Sequence, residues 1–185
     1  MSLNSVANLR KTFDEFNVVQ NSSRKDRLTE IILGIIDSKS VQFYEIASKI
    51  NRQASTDSIN RNIEDFFQKT DFQYLEIFSW LIQFIPHEKV VLSIDRTEWD
   101  YGKTQINILS VIAHVGKMGV PLHFEMLDNN SGNSNWEDRI KLFSKVIETL
   151  GYHRIDYIVM DREFIGYKWL RWLKSLKIDF CVRVP

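Results

Sequence analysis

The apolar residues of this 185-residue chain change rhythm near Pro86. Before it they recur at helical spacing. RKDRLTEIILGIID, residues 24–37, sets Leu28, Ile31, Ile32, Ile35 and Ile36 on one stripe, and VQFYEIASKI, residues 41–50, sets Phe43, Ile46, Ala47 and Ile50 on another. After a break at NRQAS, Ser55 or Thr56 is placed to cap STDSINRNIEDFFQK, residues 55–69, where Ile59, Ile63, Phe66 and Phe67 again fall at helical spacing. A fourth apolar helix is expected within residues 71–88, stopped by Pro86.

Beyond Pro86 the pattern becomes that of strands. Lys89 to Thr97, Gln105 to Val115 and Val120 to Leu127 read as a meander, with GK and GKMG between them as hairpin punctuation. A polar loop, DNNSGNSN, follows. Ser134 with Glu137 three residues later predicts a capping box for the helix NWEDRIKLFSKVIETL, which Gly151 ends. A strand IDYIVMD, a helix GYKWLRWLKSLK and a strand DFCVRV complete the order βββαβαβ. The expected fold class is α+β or α/β. A helical region over residues 1–88 precedes a mixed-sheet domain over 89–185.

Two charges interrupt this pattern. VVLSIDRTEW, residues 90–99, runs an apolar strand into Asp95, and YIVMDREF, residues 157–164, runs another into Asp161. A right-handed crossover after three antiparallel strands brings the fourth strand beside the first and parallel to it, so the two aspartates become neighbours at one sheet edge. Carboxylates that close repel unless a cation or a shared proton compensates. Hard oxygen ligands select Mg²⁺, with Mn²⁺ as the alternative, held by one or two carboxylates together with water and substrate phosphate. The competing reading is two ordinary aspartates, bonded to backbone amides or paired with Arg96 or Arg162.

Composition narrows the class. Twelve Phe, five Trp and six Tyr against seven Gly and three Pro exclude a disordered or low-complexity chain. No segment reaches transmembrane length and the start MSLNSVANLRK lacks a secretory pattern, so no membrane partner and a cytoplasmic location are expected. The single cysteine, Cys181, fits a reducing compartment and reads as a small buried hydrophobe. Net charge is zero, so any nucleic-acid surface must be local. One candidate is residues 162–183, with six basic residues (Arg162, Lys168, Arg171, Lys174, Lys177, Arg183) against Glu163 and Asp179. The other is the pair of short helices before residue 70. As a helix-turn-helix they would offer Ser58, Asn60, Arg61 and Asn62 to a groove, with Arg24, Lys25, Arg27 and Arg52 for phosphates. A plain three-helix bundle gives the same pattern.

DRTEWDYGKTQINIL, PLHFEML and IVMDREFIG together resemble the catalytic domain of DDE transposases from bacterial insertion sequences, the insertion sequence 4 family above all. The resemblance covers about residues 20–185 and is strongest from Val90 onward. It implies a ribonuclease H-like fold with Asp95 and Asp161 as the first two catalytic carboxylates. It also implies Mg²⁺-dependent cleavage and strand transfer on double-stranded DNA, at element ends and target. The family's third carboxylate, a glutamate in a Tyr-x-x-Arg-x-x-x-Glu segment, has no counterpart before Pro185, and neither Glu98 nor Glu163 is expected to replace it. The chain is therefore expected to be an N-terminal fragment, catalytically silent, with an apolar patch around Trp169, Trp172 and Phe180 open to self-association. Two rivals remain open: a ribonuclease H-like nuclease that cuts without joining, and a non-catalytic DNA-binding protein using the helices alone.

Overall fold

The structure, a computed structural model, describes residues 3–127 and 134–184. Residues 128–133 of the expected polar loop lie outside the described residues. The chain divides into two compact units, 1–77 and 78–185.

In the first unit, α1 (Leu3–Glu15), α2 (Ser22–Ser38), α3 (Phe43–Lys49) and α4 (Thr56–Lys69) follow one another, and α5 (Tyr74–Ile82) begins before the division. Most of the stripes read from the sequence form one core of Ile31, Ile46, Ala47, Ile59, Ile63 and Phe66, against which Leu28, Ile35, Phe43, Ile50 and Phe72 pack, whereas Ile36 and Phe67 are exposed. Ser55 caps α4 by accepting the Ser58 amide, at 3.2 Å. Gly34 lets α2 and α3 approach: a Cβ there would lie 2.7 Å from Cγ2 of Ile46 and 3.2 Å from its carbonyl oxygen. The helix α1 was not among the expected elements, although Val6, Leu9 and Phe13 keep the i, i+3, i+7 spacing and Phe13 is buried.

The second unit holds β1 (Val90–Tyr101), β2 (Thr104–Val115), β3 (Met118–Leu127), α6 (Trp136–Leu150), β4 (Ile155–Met160), α7 (Tyr167–Ser175) and β5 (Asp179–Val182). This is the βββαβαβ order of a ribonuclease H-like fold. The sheet runs β3-β2-β1-β4-β5, with β1 antiparallel to β2, β2 antiparallel to β3, and β4 parallel to both β1 and β5. Both hairpins turn on a glycine at positive φ in the first turn position, Gly102 at 62° and Gly116 at 60°, as a two-residue II′ turn requires. Helices α6 and α7 belong to one core with the inward residues Leu92 and Ile94 of β1, Leu109, Val111 and Ala113 of β2, and Ile158 and Met160 of β4.

Several expectations are corrected. Strand β1 does not stop at Thr97, because the tight turn at Gly102 keeps its polar end paired with β2 as far as Tyr101↔Thr104. The capping box sits one residue later, between Asn135 and Asp138; Ser134 is not the cap, since its hydroxyl accepts Nε of Arg139 at 2.9 Å. Trp169 is fully buried, edge-on to Phe143 at 5.8 Å and stacked on Trp172 at 5.5 Å, so these rings form no open patch. Cys181 is exposed, because β5 turns its odd positions to the sheet face that α6 and α7 do not cover. Tyr157 and Val159 of β4 share that exposed face.

Candidate metal centre

The register of the parallel strands brings the two aspartates to the same end of one ladder. The pairing of β1 with β4 ends at Ile94↔Met160, and the next residues are Asp95, still on β1, and Asp161, just past the end of β4. Positions in register on neighbouring strands lie about 5 Å apart at the backbone. Ile94 and Met160 point into the core, so strand alternation turns the aspartates away from it, and both are exposed.

Each aspartate is held in the same way. Oδ1 of Asp95 accepts the amide of Arg96 at 2.8 Å, and Oδ1 of Asp161 accepts the amide of Arg162 at 2.7 Å. Neither carboxylate has a salt bridge among the described residues, and neither Oδ2 has a hydrogen-bond donor there. Arg96, the cation nearest in sequence to Asp95, points the other way. Its Nη1 donates to Glu98 at 2.9 Å and to Asn107 at 3.4 Å, while Nε and Nη2 reach Oε2 of Glu163 at 3.4 Å. The hydrogen bond to Glu98, joined by the charge of Glu163, holds the Arg96 pKa above its ordinary value despite partial burial.

The four residues DREF divide the work of the turn that follows β4. Asp161 caps a short 3-10 turn over Arg162–Phe164, and Glu163 meets Arg96. Phe164 is fully buried, with the Arg139 guanidinium 4.8 Å above its ring. Arg139 itself is buried, which pulls its pKa down; it donates to the Glu163 carbonyl at 3.0 Å and to Ser134. Arg162 faces outward. Together with Asp161, Arg183 and Val184 it lines a cavity of about 290 Å³ beside the aspartate. Arg183 reaches that position because its amide donates to the Met160 carbonyl at 3.1 Å, continuing the β4–β5 ladder by one rung. Neither Arg162 nor Arg183 has a carboxylate partner among the described residues. Both belong to the basic run read from the sequence, but only the ladder singles them out from the other four cations.

Mg²⁺ or Mn²⁺ suits this donor set: two exposed oxygen donors directly past the last paired rung of β1 and β4, neither neutralised by a cation among the described residues. No cluster of three or more His, Cys, Asp or Glu able to hold a metal exists among the described residues, and Glu98 and Glu163 both pair with Arg96. The histidines stand apart. His114 meets Ser93 Oγ at 2.9 Å, and His123 is buried against the Phe78 ring, 4.4 Å between centroids.

The candidate DNA-contacting residues lie in the other unit. Lys25 pairs with Asp14 at 3.3 Å, Arg27 with Glu30 at 3.5 Å and Arg52 with Glu30 at 2.8 Å. Arg24 follows the Asn21 cap of α2, to which its amide donates. On α4, Ser58, Arg61 and Asn62 are exposed; Asn60 donates to Glu64 at 2.6 Å and Asn62 to the Ser58 carbonyl at 2.7 Å. No helix among the described residues is long and apolar enough to cross a membrane.

Comparison with known proteins singles out the sheet unit. No curated protein matches the chain. Among solved structures, a chain of the simian T-cell lymphotropic virus intasome in complex with PP2A regulatory subunit B56 gamma is similar at 16% identity and a TM-score of 0.39, over 53% of this chain and 33% of that one. The HTLV-2 integrase catalytic core domain in complex with magnesium is similar at 15% identity and a TM-score of 0.38, over 54% and 62%. The large terminase of a thermophilic bacteriophage is similar at 15% identity and a TM-score of 0.34, over 53% and 23%. The chain thus spans less than two thirds of each of these proteins. The family described as transposase DDE domain matches residues 86–185, the segment that carries both aspartates, and the chain belongs to that family.

Proposed function

We propose that this chain is part of a metal-dependent DNA transposase of a bacterial insertion sequence of the insertion sequence 4 type, cleaving element ends and joining them to target DNA. One observation carries the reading: Asp95 and Asp161 each follow directly on the last paired rung of β1 and β4, exposed, each with one oxygen fixed by a backbone amide and no cation partner among the described residues. Asp95 and Asp161 are the residues that would hold Mg²⁺, or Mn²⁺ in its place. Bound there, the metal supplies charge stabilisation at the scissile phosphate and lowers the pKa of the attacking water or 3′-hydroxyl.

The protein's own contribution is placement. The amides of Arg96 and Arg162 orient the carboxylates, and Arg162 and Arg183 offer guanidinium groups to a phosphate lying beside Asp161. Residues 1–88 serve as a DNA-contacting helical domain through Arg24, Arg61 and their neighbours, and the protein acts on DNA in the bacterial cytoplasm as a self-associated assembly. With two carboxylates alone, the 185-residue chain holds the metal weakly and does not nick DNA.

Manganese binding by the purified chain, followed through the paramagnetic resonance signal of free Mn²⁺, tests the site. Asp95→Asn and Asp161→Asn are each expected to weaken binding at least tenfold. Retention of wild-type affinity by both would remove the metal reading. Nicking of a labelled duplex that vanishes in Asp95→Ala would show instead that the chain holds a third ligand.

A further inference from the structure

The backbone ladder that joins the two aspartate-bearing strands stops one residue short of the aspartates. Its last rung is Ile94↔Met160. Beyond that rung β1 continues along β2, while the other segment leaves the sheet in a 3-10 turn. Some other contact must then set how far apart Asp95 and Asp161 stand. The first cross-link past the rung is the ion pair of Arg96 with Glu163, between residues 67 apart in sequence.

We infer that the Arg96–Glu163 pair is a strut that sets the spacing of the two aspartates, which makes both residues positioning residues for cation binding. This rests on the metal-dependent reading above. Each end of the strut is tied to a rigid element. Arg96 is braced by Glu98 on its own strand and by the buried Asn107 on β2. The backbone of Glu163 is braced by Arg139 from α6, which also stands over Phe164. The pair is shielded, with side chains 12% and 21% exposed, so solvent screens it less than a surface pair. Stability alone is a weak reason for this geometry, because Oε1 of Glu163 is buried without a hydrogen-bond donor, which is costly. The strut also commits the Arg96 charge to Glu98 and Glu163, on the core side of the sheet, and leaves the aspartate charges to an added cation.

Two measurements on the full 185-residue chain test the strut. The first is Mn²⁺ affinity, with thermal midpoints recorded to confirm folding. Glu163→Gln and Arg96→Met are expected to bind at least fivefold more weakly than wild type, while Arg96→Lys stays within about threefold of it. Single variants that bind as wild type, or an Arg96→Lys no better than Arg96→Met, would overturn the strut. The second reads spacing without metal: the rate at which diamide joins Asp95→Cys to Asp161→Cys in a Cys181→Ser background. Adding Glu163→Gln is expected to slow this at least threefold. An unchanged rate overturns the strut whatever the metal result. A slowed rate together with Mn²⁺ binding indifferent to Asp95→Asn upholds the strut and overturns the metal reading.

Discussion

In the helical unit, Lys25, Arg27 and Arg52 end on carboxylates of the same unit, at 3.3, 3.5 and 2.8 Å. In the sheet unit, the carboxylates of Asp95 and Asp161 meet only the amide of the next residue among the described residues, although Arg96 and Arg162 are adjacent in the chain. The difference separates charges paired within the fold from charges left without a cation partner among the described residues. A surface pair such as Arg52–Glu30 contributes at most about 1 kcal/mol and has its demand met. In the sheet unit the nearest guanidinium, Arg96, is diverted to Glu98 and Glu163, and the two aspartates are left without a cation partner among the described residues.

The largest effect expected is on the two cores, which should fail independently. Trp169 is fully buried in the sheet unit, and Trp169→Ala should cost about 3–5 kcal/mol there. Ile63, fully buried in the helical unit, should lose about 2–5 kcal/mol on Ile63→Ala. Urea unfolding followed by amide exchange in each unit checks this. If Trp169→Ala strips protection from α2–α4 as well, the two-unit comparison breaks.

A smaller effect comes from Gly34. In an open helix, Gly→Ala gains up to about 1 kcal/mol. Here the new Cβ would meet the Ile46 side chain at 2.7 Å and its carbonyl at 3.2 Å, so overpacking should reverse the sign and cost about 1–3 kcal/mol. A raised melting midpoint for Gly34→Ala would show that α2 and α3 have slack that these distances deny.

The sheet unit also carries a pH signature, centred on His123. Burial pushes the His123 pKa below 6.5; the Lys145 charge adds to this and the Glu125 charge opposes it. The folded state therefore binds this proton less readily than the unfolded chain. The stability contributed is fully present above pH 6.5 and is lost as pH falls from there through the lower folded value. For Glu125, burial alone would raise the pKa, but hydrogen bonds from Lys141 and Lys145 hold it below 4.5, so its contribution fades only at lower pH. Melting midpoints of His123→Asn between pH 7.5 and 5 should be flatter than those of wild type; parallel curves would refute the assignment.

How much of this is legible in the sequence differs by type of interaction. The period-two runs and the glycine turns are local, and they place Asp95 and Asp161 side by side once a right-handed crossover is assumed. The helical stripes of α2–α4 are equally local. What escapes is non-local. Nothing in the letters DRTE and DREF says that Arg96 reaches across to Glu163 rather than to Asp95, or that Arg139, two dozen residues earlier, holds the turn. The Ser134 cap fails for the same reason: its hydroxyl is a good cap by propensity, but a buried guanidinium 2.9 Å away has the stronger claim. The patch expected around Trp169, Trp172 and Phe180, for want of a covering helix, fails at Trp169 because Phe143 of α6 packs edge-on to that ring.

A weaker effect is expected on DNA binding by the helical unit. If paired cations serve the fold, they should matter little to DNA, and the unpaired ones should carry what binding there is. Arg61 is exposed on α4 with no ion pair among the described residues, whereas Lys25 is held by Asp14. Helix α4 also carries Asp57, Glu64 and Asp65 against Arg61 and Lys69, so binding should be weak and mainly to phosphates. Fluorescence anisotropy with a labelled duplex between about 50 and 200 mM salt should show Arg61→Ala lowering affinity a few-fold and reducing the salt slope by about 1. Lys25→Ala should leave that slope nearly unchanged, because its phosphate contact would first have to displace Asp14. Equal losses in the two variants would mean that Lys25 abandons its partner for DNA, and ion pairing would no longer mark the charges that serve the fold.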